Sequence, residues 1–272
     1  VKTTLVAEDD FSDDPSYEAY YQTIALDTKR VDKVAVSPDL AFAFVLSGDQ
    51  VLVFDLTDED EVTLKSAITP NTATSNNHIT AMALLSGGSS ILLGDSNGQV
   101  SQWFEVSTEN GREFQEIRTF TVSESEAVVE IHTEQFRKSF YTLTASGEMG
   151  IFYTTSDADL WRGQPTAKLP EAFVISPRAD GLLLLDSTSD KTRQFKLFSV
   201  ENEHPEVTWR ALWQEVWYEG YPEPQFIWQS TSGTDDFEGK FSLVPISFGT
   251  LKAAMYAMLF AVPIALSAAI YT

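Results

Sequence analysis

A unit of 49 residues recurs along this chain, and no other feature limits the possible folds as strongly. Four apolar residues stand at intervals of 49, 49 and 46 residues: Val51, Val100, Met149 and Phe195. An aromatic residue follows each of them three positions later: Phe54, Trp103, Phe152 and Phe198. A short polar turn precedes each of these strands: Ser47-Gly48-Asp49, Ser96-Asn97-Gly98, Ser146-Gly147-Glu148 and, without glycine, Ser189-Asp190-Lys191. One strand-turn-strand unit is therefore reused along the chain.

Short apolar segments alternate with clusters of Gly, Asp, Asn and Ser through residues 1–206. Alternation at a period of two, with no long stretch at the helical period, indicates strands and hairpins. Units of roughly 40 to 50 residues with a glycine turn before an aromatic strand are typical of β-propeller blades. We therefore predict an all-β, propeller-like body with at least four units of about 49 residues.

A β-sandwich with evenly spaced hairpins is the alternative to a propeller, because the His and Trp-Asp signatures of the commonest propeller repeats are missing. Val36-Ser37-Pro38 is echoed by Ile175-Ser176-Pro177, which supports reuse of one unit. Two segments within residues 1–30, TTLVAE and YYQTIALD, are expected to form strands of a further blade. The repeat determines neither the number of blades nor whether the ring closes.

The end of the chain has a different composition, since no charged side chain occurs from Ala253 to Thr272. A helix needs about 20 consecutive apolar residues to cross the roughly 30 Å of hydrocarbon in a bilayer. The many small residues suit close packing between membrane helices, where Pro263 is also tolerated. We predict a membrane helix in residues 241–272 of a chain that belongs to a larger membrane protein, with a buried helix of a soluble core as the alternative. The polar N-terminus excludes a secretory signal peptide there.

Residues 207–240, called the connector below, hold four of the six tryptophans: Trp209, Trp213, Trp217 and Trp228. The first three are four residues apart, so on a helix they form a stripe along one face. Gly220, Pro222 and Pro224 are expected to end that helix. Aromatic rings close to a membrane helix suit the boundary between water and lipid, and packing of these rings on the β body or on each other is the alternative.

The formal net charge is −22, from 18 Lys and Arg against 40 Asp and Glu, and the chain has no cysteine. Nucleic acids bind proteins mainly through Lys and Arg, so we expect no nucleic acid partner. Without cysteine there is no disulfide, thiolate metal site or thiol nucleophile. The basic residues, among them Arg137 and Lys138, are too dispersed to hold an anion, and we expect the body not to bind phosphate.

Residue types with catalytic or metal-binding chemistry form no recognisable site. His78, His132 and His204 are scattered, with no spacing typical of zinc ligands. Asp95-Ser96-Asn97-Gly98 lacks the later ligands of a calcium loop and is interpreted as a β-turn. The acidic stretches 8–14 and 55–61 are interpreted as solvated loops, with weak divalent-cation binding as the alternative. We predict no catalytic, cofactor-binding or metal residues, no cofactor and no enzyme activity, and assign no substrate site.

Three short motifs stand in and just before the apolar run: Ser242-Leu243-Val244-Pro245, Phe248-Gly249-Thr250-Leu251 and Ala261-Val262-Pro263. Together with the upstream segment WQEVWYEGYPEPQFIWQS, they resemble the entry to the membrane domain of phosphate-specific ABC transporter permeases. The resemblance is to the long bacterial form, which carries a large periplasmic domain. It covers residues 207–272.

The resemblance implies a bacterial inner-membrane permease for inorganic phosphate import. Residues 1–206 are then a periplasmic domain, 207–240 the aromatic connector and 241–272 the start of the transmembrane domain, with residues 1–240 in the periplasm. The implied partners are a second permease subunit, ATPase subunits and a periplasmic phosphate-binding protein, and the extra domain is a non-catalytic interaction or regulatory module. The alternatives are a membrane-anchored propeller scaffold of an envelope complex and a soluble propeller enzyme, such as a quinone-dependent dehydrogenase.

Overall fold

The structure is a computed structural model, and it describes residues 2–7, 16–20, 26, 30–58, 61–70, 77–109, 111–187, 192–232 and 238–271. Two features of the sequence lie outside these residues, the acidic stretch 8–14 and the turn 189–191. Most of the segment YYQTIALD also lies outside them. Residues 59 and 60 of the second acidic stretch also lie outside them.

The described residues form four consecutive antiparallel sheets, preceded by the hairpin of β1 (Lys2–Ala7) and β2 (Ser16–Tyr20). The first sheet contains β3 (Lys33–Val36), β4 (Phe42–Ser47), β5 (Gln50–Asp55) and β6 (Thr63–Ile68). The second contains β7 (Ile79–Leu84), β8 (Ser90–Asp95), β9 (Gln99–Thr108) and β10 (Gly111–Thr121). The third contains β11 (Val128–Thr133), β12 (Ser139–Thr144), β13 (Met149–Tyr153) and β14 (Ala158–Gly163). The fourth contains β15 (Ala172–Ile175), β16 (Gly181–Ser187) and β17 (Arg193–Ser199).

Within each sheet the strands pair in the order in which they follow along the chain. The predicted repeat marks the third strand of every sheet, since Val51, Val100 and Met149 lie in β5, β9 and β13, and Phe195 lies in β17. Gly98 precedes β9 with φ +83°, and a Cβ there would stand 2.4 Å from the Ser123 carbonyl oxygen. The glycine in that turn is therefore required both by the backbone conformation and by close packing.

Successive sheets pack face to face, so that apolar side chains on both faces of the middle sheets are buried. Phe44 and Val53 of the first sheet pack with Met82 and Ile91 of the second. The other two interfaces are similar, and their buried residues include Leu92, Phe120, Phe140 and Phe152 at one and Tyr141, Leu143, Phe173 and Leu184 at the other. Serial stacking of small antiparallel sheets is the arrangement of propeller blades, which confirms the predicted all-β, propeller-like class over the two-sheet sandwich.

The fourth sheet has three strands among the described residues, and its outward face is not covered by a further sheet. Leu182 and Leu184 point inward and are buried, while Phe195 and Leu197 on the other face are 69% and 77% exposed. Val51, Val100 and Met149 are thus buried in the first three sheets, whereas Phe195, at the equivalent position of the fourth sheet, is exposed. Along the described chain, the series of blades ends with an open apolar face.

The connector forms one short helix, α1 (Trp209–Trp213), and a two-stranded ribbon of β18 (Trp228–Gln229) and β19 (Lys240–Phe241). The Thr208 hydroxyl caps α1 by accepting the Ala211 N–H at 3.1 Å, and the backbone turns extended at Gln214. The predicted helical stripe of three tryptophans is therefore wrong, because the helix ends before Trp217. Trp217 instead lies in an extended segment, beside the bridge from Val216 to Gln225.

The apolar run forms α2 (Val244–Tyr271), a helix of 28 residues that continues through Pro263. At 1.5 Å per residue it is about 42 Å long, enough to cross a bilayer. By length and composition it is a candidate membrane span. Every residue from 245 to 271 is exposed, so α2 does not pack on the β body.

Candidate functional site

The ends of the sheets form two faces of the body, and one of them, called the axial face, holds the candidate site. In an antiparallel meander, the connections between the first and second strands and between the third and fourth strands all lie at one end. The axial face consists of these connections in the four sheets. The first strands lie next to one another, as shown by the 2.6 Å hydrogen bond from the Thr80 hydroxyl in β7 to the Val128 carbonyl in β11.

A cavity of about 340 Å³, called the axial cavity, opens on this face where the four first strands end. Each sheet contributes the residues at the end of its first strand: Val36 and Pro38, then 84–87, 133–135 and 175–177. The echoed tripeptides Val36-Ser37-Pro38 and Ile175-Ser176-Pro177 therefore meet around a single opening. Their similarity reflects equivalent places in the first and fourth sheets.

Hydrogen bonds between neighbouring sheets hold the wall of the cavity. The Thr133 hydroxyl donates to the Leu84 carbonyl at 2.9 Å, and the Ser86 hydroxyl donates to the Gln135 carbonyl at 2.9 Å. Lys138 Nζ donates to the Ser86 carbonyl at 2.6 Å. Because these bonds join the second sheet to the third, the opening has a defined shape between them.

Glu134 lines the cavity and is only 3% exposed. Its Oε1 accepts a hydrogen bond from the Tyr141 hydroxyl at 3.2 Å. Its Oε2 is buried, and the Ser139 hydroxyl lies close enough to the carboxyl to lower its pKa by hydrogen bonding. Burial raises the pKa of the Glu134 carboxyl, and the nearby Arg137 guanidinium opposes that rise. Sequence reasoning missed Glu134, because nothing in the local pattern distinguishes it from other acidic loop residues.

The rim of the cavity combines carboxylates with exposed apolar side chains. Ser37 and Ser176 donate to Asp39 Oδ1 and Asp180 Oδ1, each at 2.5 Å, and so fix two acidic groups in equivalent loops. The Ser37 hydroxyl also lowers the pKa of Asp39, which therefore stays ionised at neutral pH. Phe136, directly after the cavity residues of the third sheet, is 70% exposed. An exposed aromatic ring beside fixed charges is typical of a protein-binding surface.

The connector lies on the same face, bound to the second and third sheets. Glu219 accepts hydrogen bonds from Lys138 Nζ at 2.7 Å and from the Ser90 hydroxyl at 2.5 Å. The Tyr153 hydroxyl donates to Glu238 Oε1 at 2.6 Å, and burial raises the pKa of Glu238. Ser90 begins β8, Lys138 precedes β12 and Tyr153 ends β13, so all three lie at the axial face.

The helix α2 leaves the body from this part of the connector. The Leu243 N–H, one residue before α2, donates to the Leu212 carbonyl in α1 at 2.9 Å. The axial cavity and the start of the candidate membrane span therefore belong to the same side of the body.

The tryptophans of the connector divide between the two predicted environments. The Trp217 ring packs edge-on against Phe104 with centroids 6.2 Å apart, and its carbonyl accepts a hydrogen bond from buried Arg118. Trp209 is 76% exposed, and Trp213 and Trp228 are also exposed. Packing on the body thus holds for Trp217, whereas Trp209 and Trp213 pack on each other with ring centroids 6.0 Å apart. The Trp228 ring packs on Phe241 at 5.8 Å.

The three histidines that the sequence analysis considered lie apart in the structure. Each contacts a single carboxylate: His78 with Asp49 at 3.1 Å, His132 with Glu130 at 3.5 Å, and His204 with Glu206 at 3.1 Å. Burial lowers the pKa of His132, whose ring also packs on Phe173. Among the described residues, no group of three or more His, Asp or Glu side chains has the geometry to hold a metal ion.

The segment considered as a weak calcium loop is a turn, as predicted. Asp95 Oδ1 accepts the N–H groups of Asn97 at 3.0 Å and Gln99 at 2.8 Å. Asn77 Nδ2 donates to Asp95 Oδ2 at 2.8 Å. The carboxylate is thus used to hold the connection between β8 and β9. Asp55 plays a similar part, because its Oδ1 accepts the N–H and the hydroxyl of Thr57 at 2.9 and 2.6 Å.

Comparison with known proteins gives matches to solved structures alone. No family model matches the chain, and no curated protein matches it. U3-55K is 13% identical over 61% of this chain and 51% of that one, with a TM-score of 0.45. The WD40 repeats of RRP9 are 13% identical over 61% of this chain and 50% of that one, with a TM-score of 0.46. Sqt1 from Chaetomium thermophilum is 14% identical over 58% of this chain and 41% of that one, with a TM-score of 0.46. The chain spans about half the length of the first two structures.

These comparisons contradict the resemblance to phosphate permeases. The structures named above are WD40-repeat proteins, and none of them is a permease. The predicted partners are therefore also wrong: a second permease subunit, ATPase subunits and a phosphate-binding protein. The three short motifs that carried the resemblance lie at the start of α2 or within it. The location in a bacterial inner membrane and periplasm stays a prediction.

Proposed function

We propose that this chain is a non-catalytic interaction module, a propeller-like scaffold that binds a partner protein at its axial face and is held at a membrane by α2. The observation that carries the proposal is the axial cavity, which four sheets build together and which opens beside an exposed aromatic ring. Loops on a rigid scaffold are the usual place for binding residues. The proposal includes the division of the chain at residues 206 and 240 and a membrane location for the segment that follows.

The exposure of α2 supports the membrane part of the proposal. A helix of 28 residues whose side chains are exposed from 245 to 271 presents a far larger apolar surface than soluble monomers normally expose. A bilayer covers this apolar surface without any change in the four sheets of the body. Lys252, near the start of the helix, can extend its ammonium group to the headgroups.

A flotation experiment tests the membrane part. The full chain is reconstituted with phosphatidylcholine vesicles and floated through a density gradient, in parallel with the double variant Leu259→Lys and Ile264→Lys. We expect the parent chain to float with the vesicles and to resist extraction at high pH, whereas the variant stays at the bottom. If the variant floats as well as the parent, then α2 is not the membrane anchor.

Site-specific photocrosslinking tests the interaction part. A photoreactive amino acid replaces Phe136 on the axial face or, as the matched control, exposed Ala145 in the connection between β12 and β13 at the opposite end. In intact cells that produce the chain, we expect a discrete crosslinked protein from position 136 and none from position 145. Absence of a crosslink at 136, or the same product from both positions, contradicts the proposal.

A further inference from the structure

We propose that the open face of the fourth sheet binds the same face of a second copy of this chain, so that two copies form a symmetric dimer. This dimer goes beyond the proposed binding of a partner protein, because it uses a different surface from the axial face. Three observations support it: the composition of the open face, the sizes of its side chains, and the position of α2.

The open face is apolar over two rows of side chains that run across the three strands of the fourth sheet. The strand pairing places Ala172, Leu185 and Phe195 in one row and Val174, Leu183 and Leu197 in the next. Val174 is 61% exposed, close to the values for Phe195 and Leu197. Within the described strands β15–β17, Arg193 is the charged residue that alternation places on this face, at the start of β17, and it pairs with Glu171. The centre of the face is thus free of charge, as the centres of protein interfaces are.

The other end of the series of sheets does not offer an equivalent surface. The outward side chains of the first sheet are buried and pack with Leu26: Ala43, Val45, Leu52 and Phe54. A head-to-tail contact, in which the fourth sheet of one copy covers the first sheet of the next, would have to displace this packing. A face-to-face contact between two fourth sheets displaces nothing, and it closes with two-fold symmetry.

The sizes of the side chains make the open face complementary to itself. A two-fold axis parallel to the strands places β15 of one copy over β17 of the other and β16 over β16, and each row then faces the same row. Ala172, the smallest side chain of its row, faces Phe195, the largest, while Leu183 faces Leu183 of the second copy. Small side chains opposite large ones allow two sheets to interdigitate at the usual spacing of about 10 Å.

The same axis agrees with a membrane location for α2. The helix begins at the axial face, which lies at one end of the strands. Rotation about an axis parallel to the strands keeps this end of both copies on one side, so both helices enter the same bilayer. Confinement to one bilayer raises the effective concentration of the copies, which compensates for a face smaller than the about 800 Å² that each partner of a standard interface buries.

The net charge of −22 on each copy opposes the dimer at long range. At 0.15 M ionic strength the Debye length is about 8 Å, so charges farther apart than this are largely screened. Since the two rows carry no charge, the carboxylates of one copy stay away from the centre of the contact. The tests below are therefore carried out in 0.15 M sodium chloride.

Cysteine crosslinking tests the contact, because the chain has no cysteine of its own. The full chain with Leu183→Cys is reconstituted in phosphatidylcholine vesicles and treated with a short bismaleimide. Leu64→Cys is the matched control, since Leu64 is an exposed leucine of the first sheet. We expect a crosslinked dimer from position 183 and only a trace from position 64. No dimer at position 183, or equal yields at the two positions, overturns the proposal.

An exchange of side-chain sizes tests the two-fold arrangement. In the Leu183→Cys chain, Phe195→Ala removes the large side chain and Ala172→Phe sets two phenylalanines against each other, so each change should lower the crosslinked fraction several-fold. The two changes together place a large side chain opposite a small one again and should restore the yield. Both positions are exposed, and circular dichroism and thermal melting check that each variant folds. Single changes without effect, or a double variant no better than the single ones, contradict this arrangement.

Photocrosslinking in intact cells identifies the occupant of the open face. A photoreactive amino acid at position 197 should give a product of twice the mass of the 30.2 kDa chain. A product with a different protein, or with lipid alone, overturns the second copy as occupant. If position 136 crosslinks a partner while Leu183→Cys gives no dimer, the proposed function stands and this inference fails. If position 183 gives the dimer while position 136 gives no crosslink, the dimer stands and the proposed axial binding fails.

Discussion

Two glutamates, Glu134 and Glu238, lie where burial opposes their ionisation. Burial raises the pKa of both, although Glu238 has the closer partner in the Tyr153 hydroxyl at 2.6 Å. The same burial raises the pKa of Tyr218, near Glu238, to about 12. Keeping such carboxylates ionised at neutral pH costs folding free energy, and that cost depends on pH.

We predict that the chain becomes more stable as the pH falls through the folded-state pKa of Glu238 toward the ordinary value of 4.5. An acid whose pKa is raised on folding binds its proton more tightly in the folded state, so stability is lost as pH rises through that pKa. Melting temperatures of the full chain in an uncharged detergent, measured at several pH values, should fall toward pH 8. In Glu238→Gln the melting temperature should change less with pH.

His132 has the opposite effect on stability to Glu238. Burial lowers the pKa of His132, so protonation of its ring disfavours the folded state. Its effect is confined to pH values below about 6.5. The melting temperature of Glu238→Gln is therefore compared with that of the parent chain at each pH. A melting temperature that depends on pH as strongly in the variant as in the parent, or more strongly, contradicts the prediction.

A second prediction at this scale concerns Lys138, whose ammonium group joins the Ser86 carbonyl in the cavity wall to Glu219 of the connector. Both side chains of the ion pair are largely buried. Removing one partner of such a pair leaves the other charge uncompensated, which costs about 3 kcal/mol. Lys138→Met should therefore lower the free energy of unfolding by that amount in urea titrations and expose the connector to proteolysis.

Lys196→Met is the matched control for this change. Lys196 pairs with Asp186 at 3.0 Å in the more exposed fourth sheet. A surface pair contributes about 0 to 1 kcal/mol, so the control should stay close to the parent. Equal losses in the two variants would show that the Lys138 pair does not hold the connector.

At the scale of elements, the sequence predicted where the third strand of each sheet lies, but it did not predict the path of the connector. A glycine turn followed by an aromatic strand is a local signal, and it correctly located β5, β9 and β13. Trp217 has helical spacing from Trp213, yet it packs on Phe104 and leaves the helix, because this tertiary contact outweighs local preference.

The axial cavity was beyond prediction for a similar reason. Its walls come from four loops that are distant in sequence, and their proximity follows from the stacking order of whole sheets. The echo between Val36-Ser37-Pro38 and Ile175-Ser176-Pro177 identified two equivalent positions but not the opening between them. The burial of Glu134 beside the cavity is a three-dimensional property, for which the sequence carries no signal.

A prediction about truncation belongs to this scale. A chain that ends at Leu243 keeps β18 and β19, buried Ser242 and the bond from Leu243 to Leu212, and should be soluble and rich in β structure. A chain that ends at Ser230 loses β19 and Glu238, and should be less stable by about 1–3 kcal/mol, the contribution of two or three hydrogen bonds. Circular dichroism and urea unfolding measure both, and equal stability would show that β19 contributes nothing.

The whole molecule carries more negative charge than its ion pairs neutralise, since 40 acids face 18 bases. Self-repulsion of this kind destabilises a compact state, and salt screens it with a Debye length of about 10 Å at 0.1 M. We predict that the full chain in an uncharged detergent melts at a higher temperature in 0.5 M than in 0.02 M sodium chloride. The expected rise is about 2–4 °C for each kcal/mol of repulsion removed.

Sucrose, at the same molar concentration as the sodium chloride, is the control for effects that do not involve charge. It should change the melting temperature by the same amount at both salt concentrations. A melting temperature that falls with salt would mean that attractive pairs, such as those of Lys138 and Arg210, dominate the electrostatics of the fold.

The axial cavity and the start of α2 share one side of the body, and this placement changes how strongly the cavity has to bind. A partner embedded in the same bilayer diffuses in two dimensions, within a layer as thick as the body. Confinement to that layer sets an effective concentration in the millimolar range, as a short tether does. A contact at the axial face that is too weak to recruit a partner from solution then suffices to keep the face occupied, and the partner still exchanges quickly.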